Sequence, residues 1–403
     1  MAEPLLSEPV SEVDFGLDFR PPGPLLPGGE LHREMARLRE RYRLAPIRFG
    51  EFTMQLITSH ADLEAAFRDD EGLPAGPTYA MTVEPCQGVT FESLDGPEHH
   101  LLRDLSTREM RARPVARYAE SALPPLVDSV IDRFASRGEV DLVSEFTAVF
   151  PFLVFADRMG LPLDASDRFM DWAFGILGYQ LDHQGGLAAA RELTEYLEPV
   201  MQERMACPLD DQLSSMLTSE RDGRRLSEEE VRSHVRALFS AGATTSYHGL
   251  GNTLFAVLSN DGAAEALRAD PSRIPAAVDE MLRWEPPLAL LPRLASEDVV
   301  VAGHDVPAGT MLVFGIASAN RDPAVYESPD EFLPGRTNPR ELTFGLGSHY
   351  CPGSHLAKAQ ISVAVGALLD RLPGLELVDT DAALPNGTVM RGPRALPVRW
   401  RPN

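Results

Sequence analysis

The feature that most restricts the fold is the stretch from Ser227 to about Asn260, which reads as one continuous helix. It opens on a capping box, Ser227 followed three positions later by Glu230. At about 1.5 Å per residue it would run roughly 50 Å and cross the whole molecule. Gly242, Gly249 and Gly251 lie inside it. Each costs up to about 1 kcal/mol of helix propensity relative to alanine. Close packing or a ligand against the helix must offset that cost.

Helical periodicity recurs over Leu31 to Arg43, Leu63 to Arg68, Glu98 to Met110, Val115 to Arg137, Asp164 to Gly178, Leu187 to Met205, Pro275 to Trp284 and His355 to Leu372. Val299-Val300-Val301 and Met311-Leu312-Val313-Phe314 read as a hairpin turned at Pro307-Ala308-Gly309. The first thirty residues, with Pro21-Pro22-Gly23-Pro24, read as an irregular strap at about 1–30. The expected fold is mainly α with a small β portion. No linker separates two self-sufficient halves, so residues 1–403 are expected to form a single domain.

With 44% apolar and 24% charged residues, the chain can bury a large core. A formal net charge of -23 argues against a nucleic-acid partner, which needs clustered Lys and Arg. Cys86, Cys207 and Cys351 are odd in number and far apart, so neither a disulfide framework nor a paired-cysteine zinc site is expected, and a reducing compartment fits. There is no basic leader with an apolar run, and no stretch approaches the roughly 20 apolar residues of a membrane span. The expectation is a soluble, cytoplasmic protein. Asn386-Gly387-Thr388 matches a glycosylation acceptor by chance, without a secretory context.

The chemistry is concentrated between Phe344 and Ala357, where Gly345, Gly347 and Gly353 surround Cys351 just before a helix. Glycine allows unusual torsions and close approach to a flat ligand, and a helix N-terminus favours a thiolate. Cys86 and Cys207, by contrast, read as small buried hydrophobes. The segment resembles the haem-binding loop of the cytochrome P450 family, with Phe344, Gly345, Gly347, His349, Cys351, Gly353, Leu356 and Ala357 at the family's spacing.

That resemblance implies a cytochrome P450-like fold with haem b between the long central helix and the cysteine loop. It makes Cys351 the thiolate ligand of the iron, which favours O–O cleavage. His99 and Arg103, four apart on one helix face, match the family's propionate-binding pair, as does Arg293, and His349 would meet a propionate. Glu280, Arg283 and Arg336 match a structural triad. Ala241 and Gly242 would leave room over the iron, and Thr245 falls at the family's oxygen-activating threonine.

Thr244 is the main departure, because the family commonly has Asp or Glu there. Thr244 and Ser246 relaying protons through water is one expectation; slow protonation and direct use of peroxide are the others. Substrate contacts are expected from Leu238, Ala289, Leu290, Leu291, Val389 and Met390, whose apolar side chains suit a small apolar organic substrate. Thr78 to Thr90 and Asp164 to Arg204 are expected to form the lid.

No strand-bounded dinucleotide fingerprint is present. The implied activity is therefore a monooxygenase using dioxygen, with NAD(P)H electrons arriving through ferredoxin reductase and ferredoxin. A peroxide-driven oxygenase and a non-catalytic haem carrier or sensor are the alternatives.

Overall fold

Ser227 and Glu230 form the capping box that the sequence predicts. In the computed structural model, which describes residues 5–16, 26–164, 167–337 and 340–402, the Ser227 hydroxyl accepts the Glu230 N–H at 3.2 Å. The Glu230 carboxylate accepts the Ser227 N–H at 2.7 Å. The long helix runs Glu228–Ser259 and is buried along most of its length. Helices Phe150–Met159, Phe169–Leu177 and Ser354–Arg371 pack against it. Close packing does offset its glycines: a Cβ at Gly242 would lie 1.8 Å from Phe155 Cζ, and one at Gly251 would lie 2.9 Å from Pro393 Cγ.

The other expected helices form with shifted ends. Val115 to Arg137 divides into Ala112–Ser121 and Leu123–Ile131, because Pro124 and Pro125 have no N–H to continue the first helix and start the second one instead. Glu98 to Met110 becomes Gly96–Ser106 and a separate short turn, Arg108–Met110. Of the strap, Val10 and Phe15 donate to Pro46 O and Arg48 O, each at 2.9 Å; Pro21-Pro22-Gly23-Pro24 lies outside the described residues.

The sheet corrects the expected hairpin. Val299–Val301 pairs with His304–Val306 across Ala302 and Gly303, which have φ of +53° and +87°. Two left-handed residues suit the tight turn that follows strand twist, so the chain reverses there and not at Pro307-Ala308-Gly309. Met311–Phe314 instead lies inside a four-stranded sheet, parallel to Phe52–Ile57 and antiparallel to Leu291–Leu294, with Leu44–Phe49 at the far edge. Leu312, Val313 and Phe314 are fully buried, as a strand paired on both edges and covered on both faces must be. A large apolar core surrounds the long helix, and two smaller ones cover the sheet. No helix among the described residues is long and apolar enough to cross a membrane.

Candidate functional site

A cavity lies between the long helix and the loop that leads into Ser354–Arg371. Leu238, Ala241, Gly242, Thr245 and Ser246 line it from the helix; Phe344, Gly345, His349, Cys351 and Gly353 line it from the loop. The loop is shaped by Gly345 and Gly347, at φ of +66° and +75°. A Cβ at Gly347 would stand 2.7 Å from Phe67 O, so a side chain there is barred by space as well as by torsion. The Cys351 N–H donates to Phe344 O at 2.9 Å and closes the loop.

Burial pushes the Cys351 thiol up to about 11, against the N–H groups of Gly353 and Ser354 and the charge of Arg103, which favour the thiolate. Burial wins over the helix N-terminus here. A metal cation reverses that balance, because a coordinated thiol is deprotonated. Cys86 is buried, as expected, but Cys207 is exposed: it caps the C-terminus of helix His183–Ala206, past the face that packs inward.

Helix Gly96–Ser106 holds the loop by its backbone. His99 Nε2 lies 3.1 Å from Ser348 O and Nδ1 lies 2.7 Å from Phe91 O. Arg103 donates to Tyr350 O. Burial, above all, lowers the His99 pKa, against the two carbonyls, which favour its charged form. His349 pairs with Asp95 at 3.0 Å. Burial and then His99 push His349 down to about 3, so it is neutral.

Two guanidiniums carry the strongest sign of an anionic ligand. Arg293, on strand Leu291–Leu294, is 4% exposed, yet its Nε and Nη1 have no hydrogen-bond partner; the same holds for Nη1 of Arg103. Leaving such buried donors unmet costs on the order of 1–3 kcal/mol each. A ligand bearing two carboxylates meets them, and the two haem propionates fit this donor set. The Cys351 sulfur on the same lining fits the iron.

On the long helix, the Thr245 hydroxyl donates to Ala241 O at 2.8 Å and lines the cavity. Thr244 does not line it. One residue further round the helix, Thr244 is fully buried and donates to Ser240 O at 2.7 Å, so its expected part in a relay has no geometric basis. Ser246 does line the cavity and accepts a hydrogen bond from Gln360 Nε2 at 2.8 Å. Part of the room left by Gly242 is taken by the Phe155 ring.

The substrate expectations divide. Leu238 and Leu291 line the cavity; Ala289, Leu290, Val389 and Met390 do not. The Ala289 N–H donates to Val389 O at 2.8 Å, and Ala289, Leu290 and Val389 pack into the core beneath the sheet with Ile47 and Val313. The paired backbone segments turn these side chains away from the cavity.

Glu280, Arg283 and Arg336 meet away from the lining, with Arg336 Nε 3.0 Å from both Glu280 oxygens. The two segments expected to form the lid touch each other: Gln180 Nε2 donates to Thr82 O at 2.6 Å, and Cys86 Sγ lies 3.2 Å from Gly186 O.

Sequence reasoning missed Glu92, Phe155 and Gln360, all on the lining. For Gln360 a signal existed, since Gly353, Ala357 and Gln360 follow helical spacing along one face. Glu92 sits in a single turn, Phe91–Ser93, where no period can form.

The cytochrome P450 family model matches residues 173–386. The chain is 31% identical over 398 residues to the polyketide biosynthesis cytochrome P450 PksS of Bacillus subtilis (strain 168), across 92% of this chain and 97% of that protein. It is 31% identical over 376 residues to the erythromycin C-12 hydroxylase of Saccharopolyspora erythraea, across 90% of this chain and 93% of that one. The solved structure of PksS aligns with a TM-score of 0.83 at 28% identity, covering 91% of this chain and 96% of that one. With the cysteine loop facing the long helix across a cavity whose wall carries the unmet donors of Arg293, these likenesses show that the chain belongs to the cytochrome P450 family of monooxygenases.

Proposed function

We propose that the protein hydroxylates a small, largely apolar organic substrate with dioxygen, working in the cytoplasm with NAD(P)H electrons delivered by ferredoxin reductase and ferredoxin. The observation that carries this reading is the placing of Cys351 and Thr245 on one apolar cavity whose wall also carries the unmet Nε and Nη1 donors of Arg293. Haem b, held at the iron by Cys351 and at its carboxylates by Arg103 and Arg293, would supply the activation of oxygen; His99, expected at a carboxylate, is engaged instead by the carbonyls of Phe91 and Ser348.

This chain's own residues then orient substrate and move protons. Leu238, Leu291 and Phe155 form apolar wall. The Thr245 proton is held by Ala241 O, which leaves the hydroxyl oxygen free to accept a hydrogen bond from a water. Ser246 adds a second hydroxyl. Gln360 behind it has a buried Oε1 without a partner, an acceptor suited to a bridging water. These groups support a relay through hydroxyls and water in place of an acid at position 244.

The test is turnover of the purified protein with ferredoxin and reductase, set against turnover with hydrogen peroxide alone. Faster turnover in peroxide would replace this reading with a peroxide-driven oxygenase. A thiolate-type carbon-monoxide spectrum with no turnover under either condition would replace it with a carrier or sensor.

A further inference from the structure

Glu92 is a carboxyl group that the proposed chemistry does not use. It lines the cavity, and its side chain makes no hydrogen bond or ion pair with any described residue. The turn that carries it is fastened to the long helix: the Phe91 N–H donates to His234 Nε2 at 3.2 Å, and the Phe91 and His234 rings stack at 5.7 Å. Gln87 Nε2 donates to Ser240 Oγ at 3.0 Å just before it. Glu92 is therefore fixed beside the helix segment that bears Leu238 and Ala241.

The charges around the cavity do not balance once the proposed cofactor is counted. Arg103 and Arg293 are the buried cations on or beside the lining. The two propionates match them, and a ferric iron in a porphyrin dianion with one thiolate is neutral. His99 is engaged by the carbonyls of Phe91 and Ser348, and His349 by Asp95, so neither ring is free to meet Glu92. Asp70, also on the lining, is exposed to solvent and accepts the Ser348 hydroxyl at 2.8 Å. Glu92, half-buried on the cavity wall, has no hydrogen-bond or ion-pair partner among the described residues. Burial accordingly pushes its carboxyl up to about 7, with Arg103 pulling the other way.

We infer that Glu92 is a specificity-determining residue that pairs with a cationic nitrogen of the substrate, so that the substrate class is an apolar organic amine. The inference deepens the proposed function and rests on it. A half-buried carboxylate that shares the cavity wall with Tyr79, Phe91 and Leu238 gains from an organic cation both a counter-charge and aromatic faces. A neutral hydrocarbon in the same place leaves the carboxyl unpaired.

The test uses the haem-loaded protein and two probes of one shape: benzyltrimethylammonium, and neopentylbenzene, in which carbon replaces the nitrogen. A quaternary nitrogen has no lone pair and cannot ligate iron. Affinities are measured by calorimetry for the wild type and for Glu92→Gln. The expected result is that the wild type binds the cation at least as tightly as its isostere. In Glu92→Gln the cation should weaken by about tenfold while the isostere changes by less than about threefold.

Equal loss of both probes, or a wild type that binds the neutral one much more tightly, overturns the inference. So does a Glu92→Gln protein that fails to retain haem, since the carboxyl would then serve Arg103, or one that binds both probes unchanged but uncouples turnover, since it would then serve as a proton source. The carbon-monoxide spectrum of the reduced sample separates the two levels. Without the thiolate signal the proposed function itself fails; with the signal and no preference for the cation, the inference alone fails.

Discussion

Arg283 meets Glu280 through two hydrogen bonds, Nε to Oε2 at 2.9 Å and Nη2 to Oε1 at 2.8 Å, where Arg283 is 0% and Glu280 1% exposed. The remaining guanidinium N–H groups reach the carbonyls of Asn320, Pro329 and Glu331. Glu280 also accepts the Leu333 N–H at 3.0 Å. The pair thus ties helix Ile274–Trp284 to the chain that approaches the cysteine loop.

Removing Glu280 strands Arg283 as a buried charge, at about 3–5 kcal/mol; removing Arg283 leaves Glu280 paired with Arg336 alone and is expected to cost less. Glu280→Ala and Arg283→Ala are each expected to lower the urea midpoint and the haem content of the soluble protein. Full haem content at unchanged stability in either variant would refute the structural role.

Cys351→His is expected to remove the carbon-monoxide absorption band that marks thiolate ligation and to stop oxygenation, because Cys351 supplies the thiol on the cavity lining. A reduced, carbon-monoxide-treated variant that keeps the band shows that another group is the ligand.

Thr245 and Thr244 are adjacent but are expected to respond differently. Thr245→Ala removes a hydroxyl from the cavity wall, so NAD(P)H should still be consumed while peroxide rises and product falls. Thr244→Val should leave coupling unchanged. Thr244→Asp should lower thermal stability and not restore an acid to the site, because position 244 is fully enclosed and a carboxyl there is buried without a partner. Stoichiometry of product, peroxide and cofactor decides the first two, and a melting curve decides the third.

His248 makes stability fall with acid. Burial pushes it down to about 3, and neither ring nitrogen has a hydrogen-bond partner. The folded pKa lies below the unfolded value of about 6.5, so the unfolded chain binds the proton first and stability is lost as pH falls from about 6.5 towards 3. Between pH 8 and pH 5 this one ring accounts for about 2 kcal/mol. His248→Leu should therefore be relatively more stable at pH 5 than at pH 8, by comparison with the wild type in urea titrations at both values. An identical difference at the two pH values would show that the ring is not buried neutral.

Much of this protein is determined by local sequence. Ser227 and Glu230 start the long helix because a capping box needs only four neighbouring residues. The loop from Phe344 to Cys351 is legible for the same reason, since its glycines answer local torsions. Other features depended on distant parts of the chain. Helix Phe150–Met159 is buried at every position but Asp157 and so carries little period, and its Phe155 ring finds its place only because Gly242, far along the chain, leaves a notch. Met311–Phe314 could have paired with several segments, and its choice of Phe52–Ile57 and Leu291–Leu294 came from burial on both faces of the sheet.

The site divides along the same line. Cys351 and Thr245 are named by motif, but which way Thr244, Val389 or Glu92 faces depends on the packing of elements far apart in sequence. A side chain's type is local, whereas its surroundings are set by whichever distant residues fold against it. That is why the cysteine proposed to ligate haem could be read from the chain, and the carboxyl on the cavity wall could not.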